Sequence, residues 1–235
     1  WVGMLGLGTL MSEASAKSTS PSARNFSLCT VVGYRRVFAH ASHHVLRRGA
    51  DPAWPGVFAN FATREIAALS CEPAQGASFA ACYFEVPAAE FPSLQEREDM
   101  YEMVMAEAVT QGGLRRRGFV CCRTSDEKMK AKMGDAVFHD KYGRHFGGVE
   151  GHDYPIPGPP RVWSWAGPIL PARIYLRHCV LAIRNQAGEE AERAFLADTF
   201  LWDRTTTVGQ YLAENPAIMD TPPPPEHPDA YRFNG

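Results

Sequence analysis

The feature that most constrains this chain is a series of short apolar runs crowded into its first half. Residues 28–38 (LCTVVGYRRVF), 56–61 (GVFANF), 65–71 (EIAALSC) and 79–86 (FAACYFEV) are each flanked by Gly, Pro or polar residues. Valine, tyrosine and phenylalanine at this density suit a half-buried pleated surface. Runs of this length between turn residues read as strands of a small barrel or strongly curved sheet. The EPAQG between the last two, residues 72–76, reads as a hairpin connection.

The totals allow one well-packed domain, or one domain with a sizeable appendage: 235 residues, 45% hydrophobic and 21% charged, with a formal net charge of −2. That balance argues against a nucleic-acid partner, because the one dense basic cluster is Arg115-Arg116-Arg117. No window approaches the roughly 18 apolar residues of a membrane span. The cysteines (Cys29, Cys71, Cys82, Cys121, Cys122, Cys179) contain no C-x-x-C pair, so neither a disulfide framework nor a zinc site is expected. On a strand, the adjacent Cys121 and Cys122 would place one thiol inside and one outside. A reducing compartment such as the cytoplasm is the expectation. The sequence opens on Trp1 rather than Met, so any targeting segment belongs upstream of it.

Further along, residues 87–99 (PAAEFPSLQERED) favour a short helix with Ser93 as N-cap. MYEMVMAEAV then reads as a strand alternating Tyr101, Met103 and Met105, and GFVCCR as another. Residues 118–165 otherwise form a long, irregular excursion, a functional loop or an insertion over the domain. ARIYLRHCVLAIRN, 172–185, reads as a strand. GEEAERAFLADTFLWD reads as a helix with Ala191, Ala194, Phe195 and Phe200 at helical spacing, and DRTTTVGQYL as a helix start capped by threonine. TPPPPEHP leads into an exposed tail. The expected layout is one domain over 1–215, with the insertion at about 118–165 and a proline-rich tail over 216–235.

Three groups of residues could carry chemistry. Gly6-Leu7-Gly8-Thr9-Leu10-Met11 follows an apolar strand but lacks the third glycine of a dinucleotide fingerprint and the Gly-Lys-Ser/Thr of a P-loop. It is either a structural turn or a loop whose Gly8, Thr9 and Leu10 amides point into a cavity. LQEREDMYE packs four carboxylates, Glu96, Glu98, Asp99 and Glu102, into a short stretch. On a helix, Phe91, Leu94, Glu98 and Tyr101 share one side, which turns Glu98 inward; Glu102 lies only about 40° further round and stays open. The alternative is a solvated acidic helix. The histidines 40, 43 and 44, and His139, His145 and His152 with Asp140 and Asp153, lack ligand spacing, so no metal is expected.

In combination the pieces are more specific. A strand ending in GLGTLM, then VVGYRRVF, then CYFEVP running into LQERED and a tyrosine, resembles in its order the gamma-glutamylcyclotransferase-like family over roughly residues 2–110. Residue by residue, the family's Tyr-Gly-Ser-Leu loop falls on Leu7, Gly8, Thr9 and Leu10, and its essential glutamate on Glu98. Leu7 replaces tyrosine, Thr9 serine, Gln95 aspartate, and Asp99 the glycine after the glutamate. The resemblance implies an α+β fold built on a small, mixed, partly closed β-barrel with surrounding helices. It implies cyclisation of a small gamma-glutamyl amine or dipeptide to 5-oxoproline, with Glu98 as base, the loop amides holding the substrate, and no metal or organic cofactor. The alternative is a non-catalytic binding or assembly subunit that keeps the barrel and meets a protein partner through the 118–165 excursion.

Overall fold

The computed structural model describes residues 1–147, 156, 158–228 and 230–233, the side chain of Arg232 excepted. Strand β1 (Val2–Gly6) is followed by a 3-10 turn over Gly8–Met11 and by α1 (Glu13–Lys17). β2 (Arg24–Ala41) leads into α2 (His43–Gly49), and β3 (Glu65–Val86) into α3 (Phe91–Arg97). β4 (Glu102–Thr110) and β5 (Arg115–Cys122) form a hairpin, followed by α4 (Asp126–Met133) and α5 (Asp135–Lys141). β6 (Leu170–Pro171), α6 (Arg173–Asp198), β7 (Thr199–Leu201), α7 (Val208–Glu214) and α8 (Ala217–Asp220) follow, with further 3-10 turns over Gly143–His145 and Ala230–Phe233.

The fold is α+β. In the order β3, β1, β5, β4, β2 and back to β3, five strands close into a mixed barrel, with β6 and β7 added outside the ring. β1 pairs antiparallel with β3, Leu5 opposite Tyr83, and parallel with β5, Met4 opposite Phe119. Closure removes the open edges that a five-stranded sheet would otherwise expose. The long β2–β3 ladder bends to make this possible, and here the expected hairpin at 72–76 is overturned. Pro73 faces Tyr34 and Ser78 faces Val32, so β3 continues along β2 through a bulge instead of reversing. Gly33 (φ 81°) and Gly76 (φ 78°) take the left-handed backbone that this bend needs.

Successive β1 side chains enter two separate cores. Leu5 joins the main cluster with Phe38, Leu69 and Tyr83; Met4 joins a second one with Leu10, Ala16, Phe84 and Leu94. The second cluster fixes the 3-10 turn, α1 and α3 together, because each contributes a buried residue to it. The β1–turn connection and the end of α3 thereby become neighbours.

Several expectations are corrected. Residues 172–185 are helical: Leu176, Cys179, Val180 and Ile183 are buried at helical spacing, and the apolar run reflects one inward face and not a pleat. α6 continues to Asp198 through a break at Gly188 (φ 80°, ψ −179°), so the helix expected from GEEAERAF is its second half; Phe200 falls beyond it, in β7. Residues 56–61 form turns apart from a bridge between Asn60 and Glu65, and their apolar side chains Phe58 and Phe61 are buried from a loop. The N-cap of α3 is Glu90, not Ser93, with proline in the first turn where no amide is needed. Thr207 does cap α7: its Oγ1 accepts the Gln210 amide at 3.2 Å while Gln210 Oε1 accepts the Thr207 amide at 2.8 Å. Cys121 and Cys122 are both buried, because this end of β5 is covered on both faces. All six cysteines are free.

The 118–165 excursion carries α4 and α5, and these pack behind the site. Lys141 pairs with Asp99, Lys132 Nζ donates to the Asp99 carbonyl at 2.9 Å, and Lys128 pairs with Glu102 at 2.9 Å. Asp126 accepts the amides of Val162 and Trp163 at 3.0 and 2.7 Å. The segment after α8 is not an exposed tail either: His227 and Phe233 are buried against Phe58. No described helix is long and apolar enough to cross a membrane.

Candidate functional site

Glu98 closes α3. Its amide donates to the Leu94 carbonyl at 3.0 Å and its carbonyl accepts the Tyr101 amide at 3.0 Å, which pins the residue at the turn into β4. Leu94, one turn earlier, is fully buried and anchors the helix. Helix and turn leave the Glu98 residue only 9% exposed. Arg97 Nε lies 3.0 Å from Oε1, and the Cys121 thiol donates to Oε2 at 3.9 Å. Burial pushes the carboxyl above its ordinary range, and the Arg97 charge and the Cys121 contact only partly offset this. Glu102, which the spacing left open, sits on β4, pairs with Lys128 and does not line the cavity around Glu98.

The glycines before the 3-10 turn have distinct reasons. A Cβ on Gly6 would stand 2.3 Å from the Leu10 carbonyl oxygen, because the turn folds back over this residue. Gly8 has φ +61°, and its missing Cβ leaves room for Leu69, the Cys179 thiol and the Tyr175 hydroxyl. Of the four loop residues, Leu7 is buried in the main core, Leu10 in the second cluster, and Thr9 faces the cavity. Leu7 is the N-cap of the turn, so its carbonyl takes the first i→i+3 bond, from the Leu10 amide. The amides of Gly8 and Thr9 precede that bond and have no acceptor within the turn.

Thr9 and Glu98 line one cavity of about 230 Å³, together with Tyr101, Tyr175, Arg47, Arg48 and Arg97. A cavity of ~150 Å³ accepts a benzene ring, so this one has room for an amino-acid-sized group. Tyr101 donates to the Leu69 carbonyl at 2.8 Å, and burial keeps both tyrosines protonated well beyond neutral pH. Arg97 ties the site to α1, with Nη1 donating to the Ser15 carbonyl at 2.7 Å and to Thr19 Oγ1 at 2.9 Å. One carboxylate among three cations suits an anionic ligand with a proton to give up.

Tyr175, Arg47 and Arg48 were missed in the sequence. Reading 172–185 as a strand hid Tyr175; helical spacing in that run was the available signal. Arg47 and Arg48 stand on a one-sided basic turn of α2 that carries no motif.

The histidines do not converge. His40 is fully buried, stacked on Trp163 at 4.3 Å and edge-on to Tyr101 at 4.9 Å. His43 lies 3.7 Å from Asp99 through Nδ1, while His44 Nε2 meets the Arg97 carbonyl at 3.3 Å. Burial pushes His44 down to about 4, so it is neutral at pH 7. Among the described residues no group of three or more His, Cys, Asp or Glu side chains could hold a metal ion. His152 and Asp153 lie outside the described residues.

No family model and no curated protein matches the chain. Among solved structures, a gamma-glutamyl cyclotransferase is 13% identical over 72% of this chain and 92% of its own, with a TM-score of 0.40. An AIG2-like protein from Mus musculus is 16% identical over 54% of this chain and 80% of its own, with a TM-score of 0.34. A yeast gamma-glutamyl cyclotransferase specific to glutathione is 12% identical over 98% of this chain and 92% of its own, with a TM-score of 0.34.

Proposed function

We propose that this chain is a divergent gamma-glutamylcyclotransferase-like enzyme that cyclises a small gamma-glutamyl amine or dipeptide to 5-oxoproline and releases the amine. The observation that carries the reading is the burial of Glu98, with a raised pKa, in a cavity it shares with Thr9 of the glycine turn.

The chemistry follows from these groups. The substrate's α-amine is protonated at neutral pH and becomes a nucleophile only after losing a proton. Glu98, as a carboxylate, accepts it, and burial makes it a stronger base than an exposed glutamate. The amine nitrogen bonds to the γ-carbonyl carbon, closing a five-membered ring and placing negative charge on the carbonyl oxygen. The amides of Gly8 and Thr9 are the donors for that oxygen or for the substrate carboxylate. As the bond to the leaving nitrogen breaks, protonated Glu98 returns the proton to it; the ring nitrogen's second proton passes by the same carboxylate to the released amine, which departs as an ammonium and leaves 5-oxoproline with a neutral lactam. Nothing else is consumed. Arg47, Arg48 and Arg97 would hold substrate anions, and no step requires a metal or organic cofactor.

The test is release of 5-oxoproline from gamma-glutamyl dipeptides. Glu98→Gln keeps the shape and removes the base, and should lower the rate by ~10²–10⁴-fold. Full activity in that variant would remove Glu98 from the mechanism. A second reading, a non-catalytic binding module, draws support from Leu7, which fills core space where the family's loop offers a phenol. Tight binding of gamma-glutamyl compounds without any turnover would favour it.

A further inference from the structure

The cavity has a wall that no barrel element supplies. After α8 the chain runs through Pro222–Pro225, whose rings restrict the backbone. It turns at His227, whose amide donates to the Pro224 carbonyl at 3.0 Å, and its ring packs 4.2 Å from Phe58. The Met219 and Phe233 carbonyls accept from Arg177 of α6 at 3.1 and 3.5 Å. This strap brings Phe233 to the cavity that contains Glu98, where its residue is 9% exposed.

Phe233 and Glu98 belong to different parts of the lining. Glu98 is held by Arg97 and Cys121. Phe233 sits edge-on to Phe58 at 5.3 Å and to His178 at 5.6 Å, with the Arg48 guanidinium 5.4 Å from its ring. These apolar contacts form a small cluster of Phe58, Ile174 and Phe233, separate from the main core, with Tyr175 packed against it. The ring of Phe233 therefore limits the cavity without being needed to hold the barrel together.

Resting on the cyclotransferase reading, we propose that Phe233 is a specificity-determining residue: the strap closes the end of the cavity that takes the departing amine, and selects gamma-glutamyl compounds whose amine is small. Against an apolar wall such as the Phe233 ring, one methylene that fits or fails to fit changes selectivity by ~10–200-fold.

The test uses the full chain in a Glu98→Gln background, where binding is read without turnover. Calorimetric affinities for gamma-glutamylglycine and gamma-glutamyltryptophan are compared with and without Phe233→Ala. The expected result is a preference for the glycine compound that shrinks by about tenfold or more in Phe233→Ala. Phe233→Leu should shift the ratio in the same direction by less, and both variants are checked for an unchanged melting transition. Should Phe233→Ala fail to fold, Phe233→Leu alone carries the comparison. If both compounds bind and their ratio is the same in every folded variant, the strap does not set selectivity, while the cyclotransferase reading stands. If neither compound binds any folded form, that reading falls and the inference falls with it.

Discussion

Arg97 and Glu98, adjacent in the chain, form an ion pair at 3.0 Å in which the charge of one sets the basicity of the other. Burial raises the Glu98 pKa and the Arg97 charge opposes the rise. Removing that charge with Arg97→Met should push the carboxyl higher still. A general base works ionised, so the acid limb of the kcat/KM profile should move to higher pH, with the rate recovering at more alkaline pH. Arg97→Lys should move it less. A limb that stays in place, or moves to lower pH, would show that the pair does not tune the base.

Tyr175 puts a hydroxyl beside Gly8, the residue that follows Leu7 in the loop. Burial keeps this phenol protonated, so it can donate throughout the working range. Tyr175→Phe deletes the donor and retains the ring. We expect kcat/KM for a gamma-glutamyl dipeptide to fall by ~10-fold, the value of about 1.4 kcal/mol for a net hydrogen bond. The melting transition should fall only slightly, because the hydroxyl also meets the Leu69 backbone and the Cys179 thiol. Unchanged kinetics would make the tyrosine a packing residue only.

Gly6→Ala should be costly whatever the function. The added carbon would meet the Leu10 carbonyl oxygen at 2.3 Å and its carbon at 2.7 Å, both backbone atoms that cannot rotate away. Overpacking of this kind costs ~1–3 kcal/mol, read as a lower urea midpoint at constant slope. The turn that would shift is the one carrying Gly8 and Thr9, so activity should fall along with stability. An alanine variant as stable as the parent would mean that the turn relaxes freely.

Local signals carried part of this architecture and long-range packing decided the rest. The runs at 28–38, 65–71 and 79–86 are strands because Val, Tyr and Phe there pack on a pleated surface. Helix and strand were confused in 172–185, where an apolar run with β-branched residues hides a period that becomes clear only once one face is known to be buried. The hairpin at 72–76 failed for a related reason: Pro and Gly mark a bend, but only the β2 partner determines whether the bend becomes a bulge or a reversal. The burial of Glu98 was legible because its spacing from Phe91 and Leu94 turned it inward, although the helix ends at Arg97 and Glu98 caps it. Arg47, Tyr175 and Phe233 were not, since nothing local to them reveals the cavity that α2, α6 and the strap converge on.

The last expectation concerns an ion-pair cluster on the barrel. Glu72 on β3 accepts from Arg35 Nε at 2.9 Å and from Arg204 Nη2 at 3.0 Å, joining β2 and the turn after β7. Burial pushes this carboxyl up, but the two arginines outweigh it and hold it below its ordinary range. A depressed folded pKa stabilises the protein above the unfolded value of ~4.3 and loses that contribution as the pH falls through the folded value. Glu72→Gln should therefore destabilise at pH 7 by ~1–2 kcal/mol, a modest figure because both arginines also reach water. The gap between parent and variant should close as the pH drops below about 4. Denaturant unfolding of both proteins across that range checks the sign. A gap that widens in acid would mean that the arginines do not hold the carboxylate as the distances indicate.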